Sequence, residues 1–380
     1  MNSANSIVRT GVIGLGNMGM SHARQLHDGQ VPRARLTAVC NPSAGPLREF
    51  PGVAHFHEAA QLIRSGEIDA VVIATPHFSH VPIAIDALEN GLHVLLEKPV
   101  GVHKNECLQL IAAHHGRSGQ VFAAMFNQRT DPFYQEIRRL VRGGELGAVR
   151  RVNWIITNWF RTDAYYASSP WRATWRGEGG GVLLNQCPHN LDLLQWIFGM
   201  PESLHAFCRF GRYHDIEVED DVTAYLEFPN GASGVFITTT GEAPGTNRLE
   251  ITAERGKLVH QNDQLVFTRN EVETSRYCRT ASDGFGAPTT TDVVIPVAGH
   301  GSQHLGILRN FTAAILDGAT LLAPAAEGIH SVELANAMLH STLTGRTIRF
   351  PLDGDAYHRQ LDQLIARSQA GKQPRPADSD

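Results

Sequence analysis

Over the first third of the chain, short apolar runs alternate with stretches whose apolar positions recur every three or four residues. The runs at 7–13, 36–40, 70–74, 93–96 and 121–125 read as strands, and their near-continuous apolar character suits strands covered on both faces. Between them, the stretches at about 19–27, 58–65, 80–89 and 104–115 have the period of helices. Strand and helix taking turns predict a parallel sheet with crossover helices, and so a first domain over residues 1–127. After a helical stretch at 133–142 the period moves toward two. Successive strands are expected at 149–157, 204–212, 222–228, 234–240 and 248–253, with turn signals such as Pro229-Asn230-Gly231, which points to a mostly antiparallel sheet. A helix after the glycine run 179–181 interrupts this sheet, and helical patterns follow at 304–316 and 326–342. Residues 128–366 therefore make a second domain, and the polar, proline-bearing stretch 367–380 is expected to be a disordered tail.

The most informative local signal closes the first strand. Gly14-Leu15-Gly16-Asn17-Met18-Gly19 stands between an apolar run and a helical stretch, the setting in which such glycines bind a dinucleotide. The first glycine makes the tight turn, the second lets the backbone approach a pyrophosphate, and the third lets helix and strand pack closely. The anion then meets the N–H groups at the positive end of the helix. This is a Rossmann-type unit. The residue that separates NAD from NADP is expected at the end of the second strand, where Asn41 stands. Asn41 can bond a ribose hydroxyl without repelling a 2′-phosphate, and no arginine follows it directly. NAD is the expected cofactor, with NADP left open. Ligands of open α/β sheets gather at the carboxyl ends of the strands. That rule places Thr75, Pro76 and His80, and then Glu97 and Lys98, in the same crevice as the cofactor. A lysine there can lose solvation and exchange a proton with a substrate hydroxyl, or can simply be a surface lysine at a strand end.

Composition narrows the setting. With 380 residues, 42% hydrophobic and 19% charged, the chain has the make-up of a globular protein of two domains. A net charge of −5 gives no reason to expect nucleic acid or an anionic membrane as partner, and there is no export leader or run of membrane-spanning length. Five scattered cysteines, none in a CxxC pair, read as reduced thiols in cytoplasm. The histidines at 55 and 57, 114 and 115, and 300 and 304 lack the companions of a zinc centre, so no metal is expected.

Taken together, GLGNMG at 14–19, the 75–80 stretch, Glu97-Lys98-Pro99, and Gly179-Gly180-Gly181 leading to His189, Asp192 and Trp196 resemble the glucose-fructose oxidoreductase, inositol dehydrogenase and MocA family, or Gfo/Idh/MocA family. The resemblance covers nearly the whole chain. It implies an α/β protein with an N-terminal Rossmann domain and a C-terminal α/β domain whose open, mainly antiparallel sheet covers the nicotinamide. It also implies a homodimer or homotetramer built through that sheet. In that family the matching lysine, here Lys98, contacts the reacting hydroxyl, and the matching histidine, here His189, accepts its proton. From the residues alone His189 is equally a satisfied buried histidine at a helix start. Many members carry an aspartate where this chain has Asn185, which cannot take up a proton. Asn185 and His189 are four apart, the spacing that shares one helix face, so Asn185 can still orient substrate. Asp192 is the substitute carboxylate, or else a packing residue.

The stretch 154–175 is dense in aromatics interleaved with arginines. Such a wall suits the apolar faces and polar edges of a sugar, and also suits a core or a subunit interface. Trp154 fits the core by its alternation, and Arg161, Tyr165 and Trp175 are the candidate substrate contacts. Asn127 after the last Rossmann strand and His304 at the entry to a helix join them, while Arg129 either faces the cleft or ties the domains. The resulting expectation is an NAD(P)-dependent dehydrogenase that oxidises a secondary hydroxyl of a cyclic polyol, sugar or glycoside. The alternatives are a glycosidase working by transient oxidation and elimination, and a non-catalytic sugar sensor on the same fold.

Overall fold

The computed structural model describes residues 6–368, so the expected tail from 369 onward lies outside the described residues, while Arg367 closes the last helix and Ser368 is buried. The chain forms two compact units. The first comprises residues up to Thr130 together with Gly177–Gly179 and Gly301–Glu333, and the second comprises Asp131–Arg176, Gly180–His300 and the chain from Leu334 onward. The sequence pattern treats the first unit as one unbroken stretch to residue 127, and the return at 301–333 carries no signal in it.

In the first unit the elements run β1 (Val8–Ile13), α1 (Asn17–His27), β2 (Ala34–Cys40), α2 (Ala44–Leu47), β3 (Ala54–Phe56), α3 (Ala59–Ile63), β4 (Ala70–Ile73), α4 (His80–Glu89), β5 (His93–Leu96), α5 (Lys104–His114) and β6 (Phe122–Ala124). The strands form one parallel sheet in the order β3-β2-β1-β4-β5-β6. Val12, Val39, Val71, Val72, Leu95 and Leu96 are wholly buried, as expected of strands covered on both faces. β3 is an addition to the expected strands; at three residues it is too short to show a period. The returning segment joins β6 through a hydrogen bond from the Ala124 amide to the Ala323 carbonyl at 2.9 Å. Arg129 is buried here, its Nη1 donating to the Leu322 carbonyl at 3.1 Å and to Glu327 at 2.6 Å, so these bonds lie within one unit.

The second unit begins with α6 (Pro132–Arg142), capped by the Asp131 carboxylate accepting from the Phe133 amide at 2.9 Å. There follow β7 (Val149–Ile156), α7 (Asp163–Ala167), α8 (Pro188–Phe198), β8 (Ser203–Phe210), β9 (Glu219–Glu227), β10 (Ser233–Thr239), β11 (Asn247–Ala253), β12 (Gly256–Gln261), β13 (Gln264–Asn270), α9 (Thr274–Thr280) and β14 (Thr290–Val294). α10 (Gln303–Asp317) and the first turn of α11 (Ile329–Thr344) belong to the first unit, and β15 (Ile348–Arg349) and α12 (Gly354–Arg367) to the second. The nine-stranded sheet has the order β14-β13-β12-β11-β7-β10-β9-β8-β15, and its pairs are antiparallel except β7 with β10.

One face of this sheet is core. Trp154 at 0% exposure lies edge-on to Phe236 with ring centroids 6.4 Å apart, and its indole N–H donates to the Asn247 side-chain oxygen at 3.3 Å. Along β8 and β9 the alternate residues Phe207 and Tyr225 point the other way and stay 63% and 47% exposed. Among the described residues no helix is long and apolar enough to cross a membrane. Trp154→Ala should destabilise the protein by about 3–5 kcal/mol, and Trp154→Phe by clearly less, read as the urea midpoint followed by circular dichroism. Equal midpoints for wild type and Trp154→Ala would show that the sheet core does not depend on this ring.

Candidate active site

The register of the parallel sheet sets the first part of the site. Ile13 of β1 pairs with Ile73 of β4, and Ile73 with Leu96 of β5, so Gly14, Ala74-Thr75 and Glu97-Lys98 leave the sheet side by side at its carboxyl edge. The amides of Ala74 and Glu97 continue the ladder to the carbonyls of Ile13 and Ile73 at 2.8 and 2.9 Å. Gly14 turns with φ of +89°, and a Cβ on Gly19 would sit 1.7 Å from the Gly14 carbonyl oxygen, which only glycine at position 19 allows. A Cβ on Gly16 would meet nothing within 4 Å, so the backbone there is open to an approaching group. Gly16 is also the N-cap of α1, and no side chain caps it. An open glycine at an uncapped helix start fits a pyrophosphate. The Thr75 Oγ1 and Asn127 Oδ1 atoms are buried without a protein hydrogen bond, which is the condition of groups that await a ligand. These residues fit the dinucleotide read from the sequence, with Asn17 and Met18 as the first helical residues behind Gly16.

Two of the expected cofactor residues serve it indirectly. Both ring nitrogens of buried His80 face carbonyls, Nδ1 that of Pro99 at 2.7 Å and Nε2 that of Thr75 at 2.8 Å. Burial lowers the His80 pKa against the pull of those two carbonyls. The ring braces the Thr75 loop against the Lys98-Pro99 turn. Pro76 continues that loop, where the His77 Nδ1 meets the Glu178 carbonyl at 3.1 Å. Asn41 accepts from the Leu15 amide at 3.1 Å and donates to Ser43, to its carbonyl at 3.1 Å and its hydroxyl at 2.9 Å. It ties the glycine turn to the end of β2.

The sequence reading missed the partner of Glu97. His22, on the buried side of α1, places its Nε2 2.7 Å from Glu97 Oε1, and the other carboxylate oxygen accepts the Lys98 amide at 3.1 Å. Burial pushes the Glu97 carboxyl up, but the His22 hydrogen bond and charge, with the charge of Lys98 beside it, pull it down to about 2. The His304 ring lies 5.7 Å from that of His22, and its own pKa is lowered by burial. Asn127 donates to the Gln303 side-chain oxygen at 2.7 Å. Lys98, Asn127 and His304 thus belong to the first unit, beside one buried carboxylate and one half-buried amide pair.

The second unit presents the histidine. A Cβ on Gly181 would fall 2.0 Å from the Glu219 carbonyl oxygen, so the glycine run can lie flat on β9. Buried Glu219 accepts from the amides of Gly181 at 2.8 Å and Leu183 at 3.0 Å, and its carbonyl accepts from Val182 at 3.0 Å. This pinned turn carries Asn185 and delivers Pro188 as the first residue of α8, with His189 second and buried. Asn185 precedes the helix, its amide bonded to the Gly181 carbonyl at 2.9 Å, so the expected shared helix face with His189 does not form. Asp192 is wholly buried and accepts from Gln195 Nε2 at 3.1 Å, an intrahelical bond that suits a packing role.

The loop after β7 wraps this turn. Trp159 donates its indole N–H to the Asn190 side-chain oxygen at 3.3 Å, and Gln186 Nε2 donates to the Tyr165 hydroxyl at 3.2 Å. Arg161 and Tyr165 are half-buried, whereas Trp175 is buried with its ring 5.7 Å from that of Phe210, a core position. Gln186, His22 and Glu219 carry no motif of their own. The one visible hint is that His22 interrupts the apolar stripe of Gly19, Ala23 and Leu26 on α1.

A parallel sheet with an open glycine turn at its carboxyl edge is the architecture of a nucleotide-binding domain. The family model for the oxidoreductase family with an NAD-binding Rossmann fold matches residues 8–125, and that for the GFO/IDH/MocA C-terminal domain matches residues 134–259, together more than half of the chain. The chain belongs to the Gfo/Idh/MocA family, as the motifs at 14–19, 97–99 and 179–196 imply, and its first unit is the NAD-binding Rossmann domain of that family. It is similar to an inositol 2-dehydrogenase of Rubrobacter xylanophilus, 30% identical over 50% of this chain and 52% of that protein, so the chain matches about half of that relative's length. Inositol 2-dehydrogenase 2 of Saccharopolyspora erythraea is 26% identical over 89% of this chain and 94% of its own. Among solved structures, the WlbA dehydrogenase of Bordetella pertussis in complex with NADH and UDP-GlcNAcA superposes with a TM-score of 0.76 at 23% identity over 91% of this chain and 100% of that one, a likeness of fold.

Two outcomes test this geometry. Glu97 is held below the ordinary carboxyl value of 4.5, so its contribution to stability is complete above that pH and is lost as the pH falls toward about 2. In His22→Leu the burial remains and the hydrogen bond is gone, so the variant should melt well below wild type at pH 7, and the gap should narrow as the pH falls toward about 2, where Glu97 is protonated in both. Parallel curves of melting temperature against pH would remove His22 as the cause. Asn41→Asp should weaken NADPH binding about tenfold relative to NADH, measured by nicotinamide fluorescence, because a carboxylate repels the 2′-phosphate. An unchanged ratio places the choice elsewhere.

Proposed function

We propose that this protein is an NAD-dependent dehydrogenase that oxidises a secondary hydroxyl of a cyclic polyol or sugar. The observation that carries the reading is the strand register, which brings the open glycine turn and Lys98 to one edge of the parallel sheet, with Glu97 and His22 fixing the Lys98 backbone. The relatives named inositol 2-dehydrogenases support the substrate class. Nicotinamide, when bound, supplies the hydride acceptor.

In the proposed chemistry Lys98 donates a hydrogen bond to the reacting oxygen and His189 takes the hydroxyl proton, so that the C–H electron pair leaves as hydride and the carbon becomes a carbonyl. Proton transfer of this kind is worth about 10²- to 10⁴-fold. Asn185, on the pinned turn before His189, orients the substrate, and Asp192 supports α8. Asn127 and His304 are further proposed substrate contacts. Residues of the same sheet that place Phe207 and Tyr225 on an open face propose a homodimer or homotetramer assembled there. Four buried free thiols and one exposed suit a reducing cytoplasm, which is the proposed location.

The test is absorbance at the reduced-nicotinamide band with NAD and a panel of inositols, sugars and glycosides. Reduced cofactor should accumulate with at least one of them. Release of an aglycone without net reduction would replace this reading by the oxidation-elimination glycosidase. With the substrate so found, His189→Ala should lower kcat by at least about 10²-fold while NAD binding survives, and wild-type turnover in that variant would take His189 out of the mechanism.

A further inference from the structure

The loop between β7 and α8 holds a charge that the proposed oxidation does not use. Arg161 makes no ion pair among the described residues: its Nη1 donates to the carbonyls of Phe160 at 2.9 Å and Trp159 at 3.4 Å. The remaining edge of the guanidinium fork bonds no protein atom among the described residues. Arg9, Arg24, Arg64, Arg150, Arg212 and Arg248, by contrast, each meet a carboxylate. The backbone of Arg161 is fixed at both ends. Its amide donates to the Thr240 carbonyl at 2.9 Å, and its own carbonyl faces His214 Nε2 at 2.9 Å, with His214 Nδ1 held 3.0 Å from buried Asp220.

Tyr165 stands beside it. The guanidinium carbons of Arg161 and Arg172 lie 5.1 and 4.5 Å from the centre of the Tyr165 ring, so two cations share one aromatic group. The Tyr165 oxygen accepts from Arg172 Nη1 at 2.8 Å and from Gln186 Nε2 at 3.2 Å. With both lone pairs taken, the hydroxyl hydrogen is left to donate. Gln186 is three residues before His189, and the cluster lies in the same unit as that histidine.

We propose that Arg161 and the Tyr165 hydroxyl form a subsite for an anionic group, a carboxylate or a phosphate, on the sugar or polyol whose hydroxyl is oxidised. The inference rests on the dehydrogenase reading for the rest of that substrate. A guanidinium fork on an anchored backbone and a neighbouring hydroxyl donor offer N–H and O–H groups side by side, and an anion answers the charge that no protein carboxylate answers. A neutral sugar would leave the fork facing water.

The experiment is titration calorimetry of the NADH-loaded protein with glucose, glucuronate and glucose 6-phosphate. At least one of the anionic sugars should bind about 10- to 100-fold more tightly than glucose, and the preferred one tells carboxylate from phosphate. Arg161→Gln should abolish that preference without altering glucose binding or the melting temperature, and Arg161→Lys should restore part of it. Tyr165→Phe should weaken the anion alone. Equal binding of all three sugars, absence of binding by any, or an equal loss for charged and neutral sugars in Arg161→Gln would overturn the subsite. Anion-selective binding in a protein that reduces no nicotinamide with any sugar would uphold the subsite and remove the dehydrogenase reading.

Discussion

A single buried hydrogen bond, from His22 to Glu97, governs how the first unit can be built. A carboxylate removed from water must be answered by donors or it takes up a proton, and here one oxygen is answered by a helix and the other by the next backbone amide. The helix is the one that starts at the cofactor turn, and the amide is that of Lys98. The bond therefore couples the angle of α1 to the direction in which the chain leaves β5. His80 repeats the device between the ends of β4 and β5, with carbonyls in place of the carboxylate. The carboxyl edge of this sheet is held by polar bridges, while the strands beneath it are held by apolar burial.

The second unit uses the same logic with a different scaffold. Glu219 on β9 answers the amides of a glycine run that has little preference for helix or strand, and so gives that run a fixed approach to α8. Asp220, the next residue, accepts the amides of Arg212, Tyr213 and His214 at 2.8, 2.8 and 3.1 Å. Adjacent residues of one strand point to opposite sides of the sheet, so two neighbouring carboxylates can organise two separate loops. The first carries the chain to His189, and the second meets the aromatic loop, where His214 Nε2 lies 2.9 Å from the Arg161 carbonyl.

Much of this was legible in the chain. The strands of the parallel sheet declared themselves because burial on both faces leaves no polar positions to blur the runs, and GLGNMG marks its turn by steric need. The strands β12 to β14 went unread. The apolar alternation of β12 and β13 is broken by the tight turn at Asn262-Asp263, and β14 is exposed along its length and shows no apolar face. α12 does carry a readable signal, since Tyr357 and Leu361 stand four apart on its buried side. The supporting polar residues were beyond reach for a different reason. His22 and Glu97 are 75 positions apart, and Gly181 and Glu219 are 38 apart. Periodicity reports which face of an element is covered and says nothing about which distant residue covers it. Lys98 and His189 stood out because they belong to motifs, whereas the residues that hold them do not.

The one parallel pair in the second sheet, β7 with β10, encloses everything between residues 156 and 233 in a single crossover. That crossover contains the aromatic loop, the glycine turn, α8 and two further strands. Its two ends are stitched to each other by neighbouring backbone ladders, so the interior can be redrawn by mutation while the frame around it keeps its register. A fold built this way can change what the crossover presents by rewriting one bounded stretch of chain, leaving the parallel sheet and its glycine turn as they were.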